Sequence, residues 1–242
     1  SQLAGISLTW YTWLEQGRPI QVSSYVLECL ARTFGLDGQE RLHLYSLARL
    51  SPEKNLPFLS DALLPLLRNR SCSLLLVGDG PARPALEAIR RREGIEEEIV
   101  LGGETEIPEK FYRLADVFVS PSRYESFGQS ILEAMASGLP VLAPRSVPPS
   151  VAVAAGEIVE DGRSGLLLPE DPVAWRETVA RLLGDRELRL RLGREGRRIC
   201  RERFNWERHL AALLGSGRDA PPTDIPIVRP GGGPSRAGGG KP

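Results

Sequence analysis

Between Leu42 and Leu168 the chain alternates short β-like runs with amphipathic stretches, and this pattern limits the folds open to it more than any other feature. The β-like runs are Leu42–Ala48, Ser73–Val77, Ile99–Leu101, Val117–Ser120, Val141–Ala143 and Gly165–Leu168. Between them lie helical patterns at Leu56–Leu67, Ala82–Arg92, Glu109–Ala115 and Gln129–Ala136. Short apolar runs separated by single helices predict βαβ units, and hence a parallel sheet with helices on both faces. Ligands of such sheets bind outside the carboxyl ends of the strands, so the chemistry is expected in residues that directly follow a strand.

Beyond Pro172 the pattern is helical and rich in charge. Trp175, Val179, Leu182 and Leu183 form one apolar stripe, and Leu188, Leu190, Leu192 and Ile199 form a second. Phe204, Trp206, Leu210 and Leu213 are expected to cap the domain. The Arg/Glu run between Arg186 and Arg208 reads as a solvated face with i,i+4 pairs. From Gly215 the composition shifts to Gly, Pro, Ser and Asp, which predicts a disordered tail over 215–242.

Charge and cysteine content narrow the function. Lys+Arg and Asp+Glu are equal at 31 each, so no basic excess is available to neutralise nucleic-acid phosphates. No apolar run approaches the length of a membrane helix. Leu3–Leu14 lacks the basic start and the small-residue cleavage site of a signal peptide. Cys29, Cys72 and Cys200 are widely spaced and odd in number, as for reduced thiols in a cytoplasmic protein rather than a disulfide framework or a zinc site. Met135 is the only methionine, so the chain reads as a fragment or a processed product. Of the 31 basic residues 28 are arginine, which makes a lysine inside a motif conspicuous.

Three segments could carry chemistry. The first is Ala48-Arg49-Leu50-Ser51-Pro52-Glu53-Lys54-Asn55, between a strand and a helix. Arg49 and Lys54 could straddle a diphosphate at the sheet edge; alternatively both are solvated, with Ser51 or Asn55 capping the helix. The second is Val77-Gly78-Asp79-Gly80-Pro81. It lacks the last glycine of G-x-G-x-x-G, so its glycines are expected to make a tight turn and leave room for a ligand to approach. The third runs from Pro121 to Pro140, where a helix N-terminus near Ser126–Gln129 would offer free N–H groups to an anion. Glu125 lies at its mouth and Glu133 lies eight positions on, roughly 12 Å along a helix. One carboxylate could meet a sugar and the other a ribose, or both could decorate a surface helix.

Glu125 and Glu133 are separated by seven residues inside Glu-Ser-Phe-Gly…Leu-Glu-Ala-Met-Ala-Ser-Gly-Leu-Pro-Val, which resembles the E-x7-E motif of family 4 glycosyltransferases. The resemblance extends from about Ser46 to Leu214. It includes Ala-Arg-Leu-Ser-Pro-Glu-Lys-Asn, Leu-Val-Gly-Asp-Gly-Pro, the run from Tyr112 to Ser122, the run from Glu157 to Pro169, and Phe204-Asn205-Trp206. It implies the carboxy-terminal, donor-binding half of a two-domain GT-B enzyme, a Rossmann-like doubly wound α/β domain over 42–214. Such enzymes transfer a hexose from a UDP- or GDP-type nucleotide sugar with retention and without a required metal. By resemblance, Arg49 and Lys54 would hold the diphosphate and stabilise the leaving nucleotide, and Glu125 would contact the donor sugar. The backbone at Ser126, Phe127, Gly128 and Gln129 would meet sugar and phosphate, Glu133 would take the ribose, and Gly102 would flank the base. Gly78 joins them as a donor-binding candidate. The acceptor would be a lipid, a saccharide or a small molecule. Peripheral membrane contact occurs in such enzymes, but no basic amphipathic helix is evident in this chain to support it.

The chain also departs from the family pattern. Residues 1–41 correspond to a remnant of the first domain and its linker, so most of an acceptor site is missing from them. The segment from Pro144 to Glu157 is longer than its counterpart and replaces a Gly-Gly pair. Ala48 stands where the family usually has glycine. A non-catalytic nucleotide-sugar-binding module is therefore the alternative expectation. A dinucleotide dehydrogenase is disfavoured, because no acidic residue follows the second strand of a G-x-G-x-x-G unit.

Overall fold

A computed structural model describes residues 41–204. Its centre is a six-stranded sheet in the order β3-β2-β1-β4-β6-β8. The strands are β1 (Leu42–Leu47), β2 (Cys72–Val77), β3 (Ile99–Gly103), β4 (Val117–Val119), β6 (Val141–Pro144) and β8 (Gly165–Leu168). All neighbours in this sheet are parallel. The helices are α1 (Leu56–Arg68), α2 (Arg83–Glu93), α3 (Pro108–Tyr112), α4 (Gln129–Ser137), α5 (Ala155–Ile158), α6 (Pro172–Gly184) and α7 (Arg186–Arg203). Two-residue strands β5 (Tyr124–Glu125) and β7 (Ala152–Val153) form a separate parallel pair.

Alternation along the strands explains the two covered faces. Leu42 and Leu44 of β1, Leu74 and Leu76 of β2, and Val117 and Val119 of β4 enter one core with Leu59, Leu63 and Trp175. The intervening Tyr45, Leu75 and Phe118 enter the other, with Tyr112, Ile131 and Met135. Each strand is thus buried on both sides, as a parallel sheet requires. The strand order runs outward from β1 through β2 to β3, then restarts at β4 on the other side of β1. This doubly wound, Rossmann-like arrangement puts its topological switch between β1 and β4.

The predicted strands and the first four predicted helices are all present, with small differences in extent. The helix expected over Glu109–Ala115 is shorter, because the chain turns after Tyr112 so that the Asp116 carboxylate accepts the His43 N–H at 2.9 Å. Elements β5, β7 and α5, of two, two and four residues, are too short to show as a periodic pattern in the sequence. Asp171 caps α6 by accepting from the N–H groups of Val173 and Ala174, and Asp185 caps α7 by accepting from Leu188. Helix α7 crosses the end of α4 through Gly193, where an added Cβ would lie 2.0 Å from the Gly138 carbonyl oxygen. Cys72 and Cys200 are free and buried, and burial pushes both thiols up to about 12. Among the described residues no helix is long and apolar enough to cross a membrane. The expected first-domain remnant, Cys29, the capping residues Trp206, Leu210 and Leu213, and the expected tail lie outside the described residues.

Candidate functional site

The loops that follow β1 and β4 meet at the switch point. After β1 the chain passes Arg49 and a short 3-10 turn, Pro52–Lys54, before entering α1. After β4 it passes Arg123 and β5 into α4. The Arg123 N–H donates to the Glu53 carbonyl at 2.8 Å, and Lys54 Nζ lies 2.6 Å from Glu125 Oε2. The second sheet extends this seam, because Ala152 N donates to Arg123 O and Ala154 N donates to Glu125 O. Glu170, following β8, accepts from Arg123 and from Asn55 Nδ2, the latter at 3.3 Å. Four carboxyl-end loops of the sheet are therefore tied together around Lys54 and Glu125.

Neither Ser51 nor Asn55 caps α1 through its side chain. Ser51 Oγ donates instead to the Glu53 carboxylate, and Asn55 adopts a left-handed backbone with φ 53°. The Ser51 bond, with the Lys54 and Arg49 charges behind it, holds the Glu53 carboxyl below its ordinary range. Arg49 is exposed, and among the described residues no carboxylate pairs with its guanidinium. Lys54, in contrast, is only 18% exposed and engaged.

The room left by Gly78 is occupied by the protein itself. Its φ is 130°, and an added Cβ would stand 2.0 Å from the Ala48 carbonyl oxygen. At Gly80 the Cβ would stand 2.5 Å from the Leu50 carbonyl oxygen. Leu50 N donates to Asp79 O at 2.9 Å and Ala82 N donates to Leu50 O at 2.7 Å, so this loop is zipped to the one carrying Arg49. The glycines make the expected turn, but the space beside them is filled by the Ala48 and Leu50 carbonyls and not left for a ligand, and this packing fixes where Arg49 leaves the sheet. Gly102 lies on β3, where an added Cβ would stand 3.0 Å from Val77 Cγ2 and 3.6 Å from Leu75 Cδ1.

Helix α4 begins at Gln129, with Gly128 in the left-handed region at φ 78° as its N-cap. Gly128 N donates to Glu125 Oε1 at 3.2 Å, so the carboxylate already sits at this helix N-terminus. The first-turn N–H groups of Gln129, Ser130 and Ile131 have no partners within the helix, as at any N-terminus. Only Gln129–Glu133 of the Glu125–Glu133 segment is helical, so helical rise does not set the spacing of the two carboxylates. Ser126 and Phe127 form the bend between β5 and α4.

Glu133 is not on a surface helix face. It is buried, with Tyr112 donating to Oε2 at 2.9 Å and Gln129 Nε2 donating to Oε1 at 3.1 Å. Burial pushes its carboxyl above the ordinary range, and the two donors oppose that rise. Glu109 adds to the rise. Tyr112 was missed as a site residue in the sequence. The available signal was an acidic residue inside the otherwise apolar Ile131–Met135 run, which needs a buried partner.

These residues put an exposed guanidinium, a partly buried ammonium, a helix N-terminus and the Glu125 carboxylate on the loops at the carboxyl edge of a doubly wound sheet, with the buried Glu133 carboxylate one turn into α4. Cations with backbone N–H groups suit a phosphate or diphosphate. Carboxylates beside them can accept from hydroxyls of an attached sugar.

Comparisons with known proteins agree with this geometry. Residues 41–185 match the family described as glycosyl transferases group 1. An alpha-D-kanosaminyltransferase of Streptomyces kanamyceticus is 32% identical over 167 residues, 67% of this chain and 41% of that protein. A D-inositol 3-phosphate glycosyltransferase of Saccharomonospora viridis is 36% identical over 185 residues, 71% of this chain and 41% of that protein. The chain thus spans about two fifths of the length of these curated relatives. Among solved structures, Anabaena HepE in complex with UDP and glucose superposes with a TM-score of 0.66 at 24% identity, covering 81% of this chain and 53% of that one. Sucrose-phosphate synthase of Thermosynechococcus elongatus gives a TM-score of 0.64 at 28% identity, covering 78% and 47%. With most of the described residues inside the family match and the fold shared with GT-B structures, the chain belongs to the group 1 glycosyl transferases.

Proposed function

We propose that this chain is the donor-binding half of a retaining family 4 hexosyltransferase that uses a UDP- or GDP-type nucleotide sugar and needs no metal. The observation that carries the reading is the meeting of the β1 and β4 loops at the switch point, with Lys54 Nζ 2.6 Å from Glu125 Oε2 beside the start of α4. Arg49 and Lys54 hold the diphosphate, and the free N–H groups of α4 add to the positive field there. Glu125 accepts from hydroxyls of the donor hexose. Glu133, fixed by Tyr112 and Gln129, accepts from the ribose, and Gly102 lies beside the base. The relative crystallised with UDP and glucose supports this donor class.

In the reaction the bond between the anomeric carbon and the diphosphate breaks, and negative charge grows on the leaving nucleotide. On this reading, once the donor is bound, Arg49, Lys54 and the α4 N-terminus stabilise that charge. The acceptor hydroxyl, from a lipid, a saccharide or a small molecule, would be oriented by the other half of the enzyme. The test is calorimetry of the full chain with UDP-glucose, GDP-mannose and NAD, with and without EDTA. One nucleotide sugar binds, NAD does not, and EDTA leaves affinity unchanged. Tighter binding of NAD than of either nucleotide sugar contradicts the reading, and loss of binding in EDTA contradicts its metal independence.

A further inference from the structure

The Lys54–Glu125 pair joins the two groups to which the reading above gives different parts of the donor, the diphosphate and the hexose. Their side chains are 18% and 19% exposed, so the 2.6 Å contact is screened far less than a surface pair. The alternatives for each group are few. Glu53, next to Lys54 in sequence, is held by Ser51. The other oxygen of Glu125 accepts from Gly128 N at 3.2 Å, so the carboxylate keeps its place when Lys54 turns away. Phosphate and carboxylate therefore compete for one ammonium.

We infer that this pair makes the site discriminate between the nucleotide sugar and the nucleoside diphosphate left after transfer. The inference rests on the proposed donor reading. A nucleotide sugar draws Lys54 to its phosphates and offers hydroxyls to the released Glu125, so both charges keep a partner. The nucleoside diphosphate also draws Lys54 but offers Glu125 nothing. Glu125 is then an unpaired, partly buried carboxylate, an arrangement that is costly and that returning to Lys54 relieves. Loss of the sugar thus sets the carboxylate against the phosphate, which weakens product binding and speeds product release.

The sign of one mutation separates this from a simple binding role. Glu125→Gln keeps the size of the side chain and an oxygen for Gly128 N but removes the competing charge. Calorimetry on the full chain begins with UDP and GDP, and the diphosphate bound more tightly goes forward with its nucleoside. Glu125→Gln is expected to bind the diphosphate about fivefold more tightly, the scale of one partly exposed ion pair, and to leave the nucleoside unchanged. In a Lys54→Met background the gain should vanish, because the pair is already broken. A diphosphate affinity unchanged or lowered by Glu125→Gln overturns the inference. So does a gain that persists without Lys54, which would reflect general repulsion between Glu125 and the phosphates. Failure of the wild-type chain to bind UDP-glucose and GDP-mannose as well as both diphosphates overturns the donor reading itself, a result distinct from these two.

Discussion

The hydroxyl of Tyr112, at the end of α3, donates to Oε2 of Glu133, in the middle of α4, across a distance of 2.9 Å. Both residues are buried, in a layer that also contains Tyr45 and Phe118. Tyr45 packs edge-on to Tyr112 with ring centroids 4.9 Å apart. A carboxylate is thus kept within an apolar helix run, aimed by a phenol, at a cost in desolvation that the core itself does not require. Buried polar groups of this sort are common where function sets the residue.

Glu133→Gln should therefore stabilise the protein while weakening nucleotide binding. The folded state raises this carboxyl above its unfolded value, so its ionised form destabilises the fold. That penalty is full above the folded value and fades as pH falls through it toward the ordinary carboxylate range. Thermal melts should show the variant ahead of wild type by a few degrees at neutral pH, with the gap closing in acid. A gap that widens in acid would contradict the assignment.

Tyr112→Phe removes one of the two donors to a buried carboxylate and should cost about 1–3 kcal/mol in chemical denaturation. In a Glu133→Gln background the cost should shrink, because the two residues share one interaction. Affinity for UDP should fall in the single variant, and affinity for a 2′,3′-dideoxy analogue should not, if the pair acts on the ribose hydroxyls. Equal losses for both ligands would indicate a purely structural tyrosine.

Two glycines test how the site is framed. An alanine at Gly78 or at Gly193 would place its Cβ 2.0 Å from a backbone carbonyl oxygen, that of Ala48 or of Gly138. Each change should cost about 2–4 kcal/mol, since rigid backbone must move. Gly78→Ala should also weaken nucleotide diphosphate binding in the molecules still folded, because the displaced loop carries Arg49. Gly193→Ala, packed against the far end of α4, should leave that affinity unchanged. Denaturation curves paired with calorimetry distinguish the two outcomes.

Much of this architecture is legible in the residues. The run Ser73–Val77 is apolar at every position after Ser73, on both faces, which suits a strand buried from both sides. The alternation with helices then predicts that a ligand would bind at the carboxyl edge of the strands, and Arg49, Lys54 and Glu125 lie on loops at that edge. Strands β5 and β7 were not legible, because two residues carry no periodicity and their pairing joins segments 28 positions apart, Tyr124 with Ala152. The Lys54–Glu125 contact is hidden for the same reason, its partners lying 71 positions apart. Gly78 was legible as a turn residue, but what fills the space beside it depends on a neighbouring loop. The spacing of Glu133 does not by itself exclude a surface helix. The apolar run around it hints at burial, and the fold, by burying Ile131, Leu132, Ala134 and Met135 with it, shows that its side chain faces inward.

The central claim is that the cations after β1 bind the diphosphate of a nucleotide sugar. Calorimetry of the full chain with UDP, GDP and their nucleosides, comparing wild type with Arg49→Ala and Lys54→Ala, tests it most directly. Each substitution removes a charge-assisted contact to phosphate and should cost about 1.5–3 kcal/mol in diphosphate affinity, leaving nucleoside affinity unchanged. Equal losses for diphosphate and nucleoside, or no loss for either, would contradict the account.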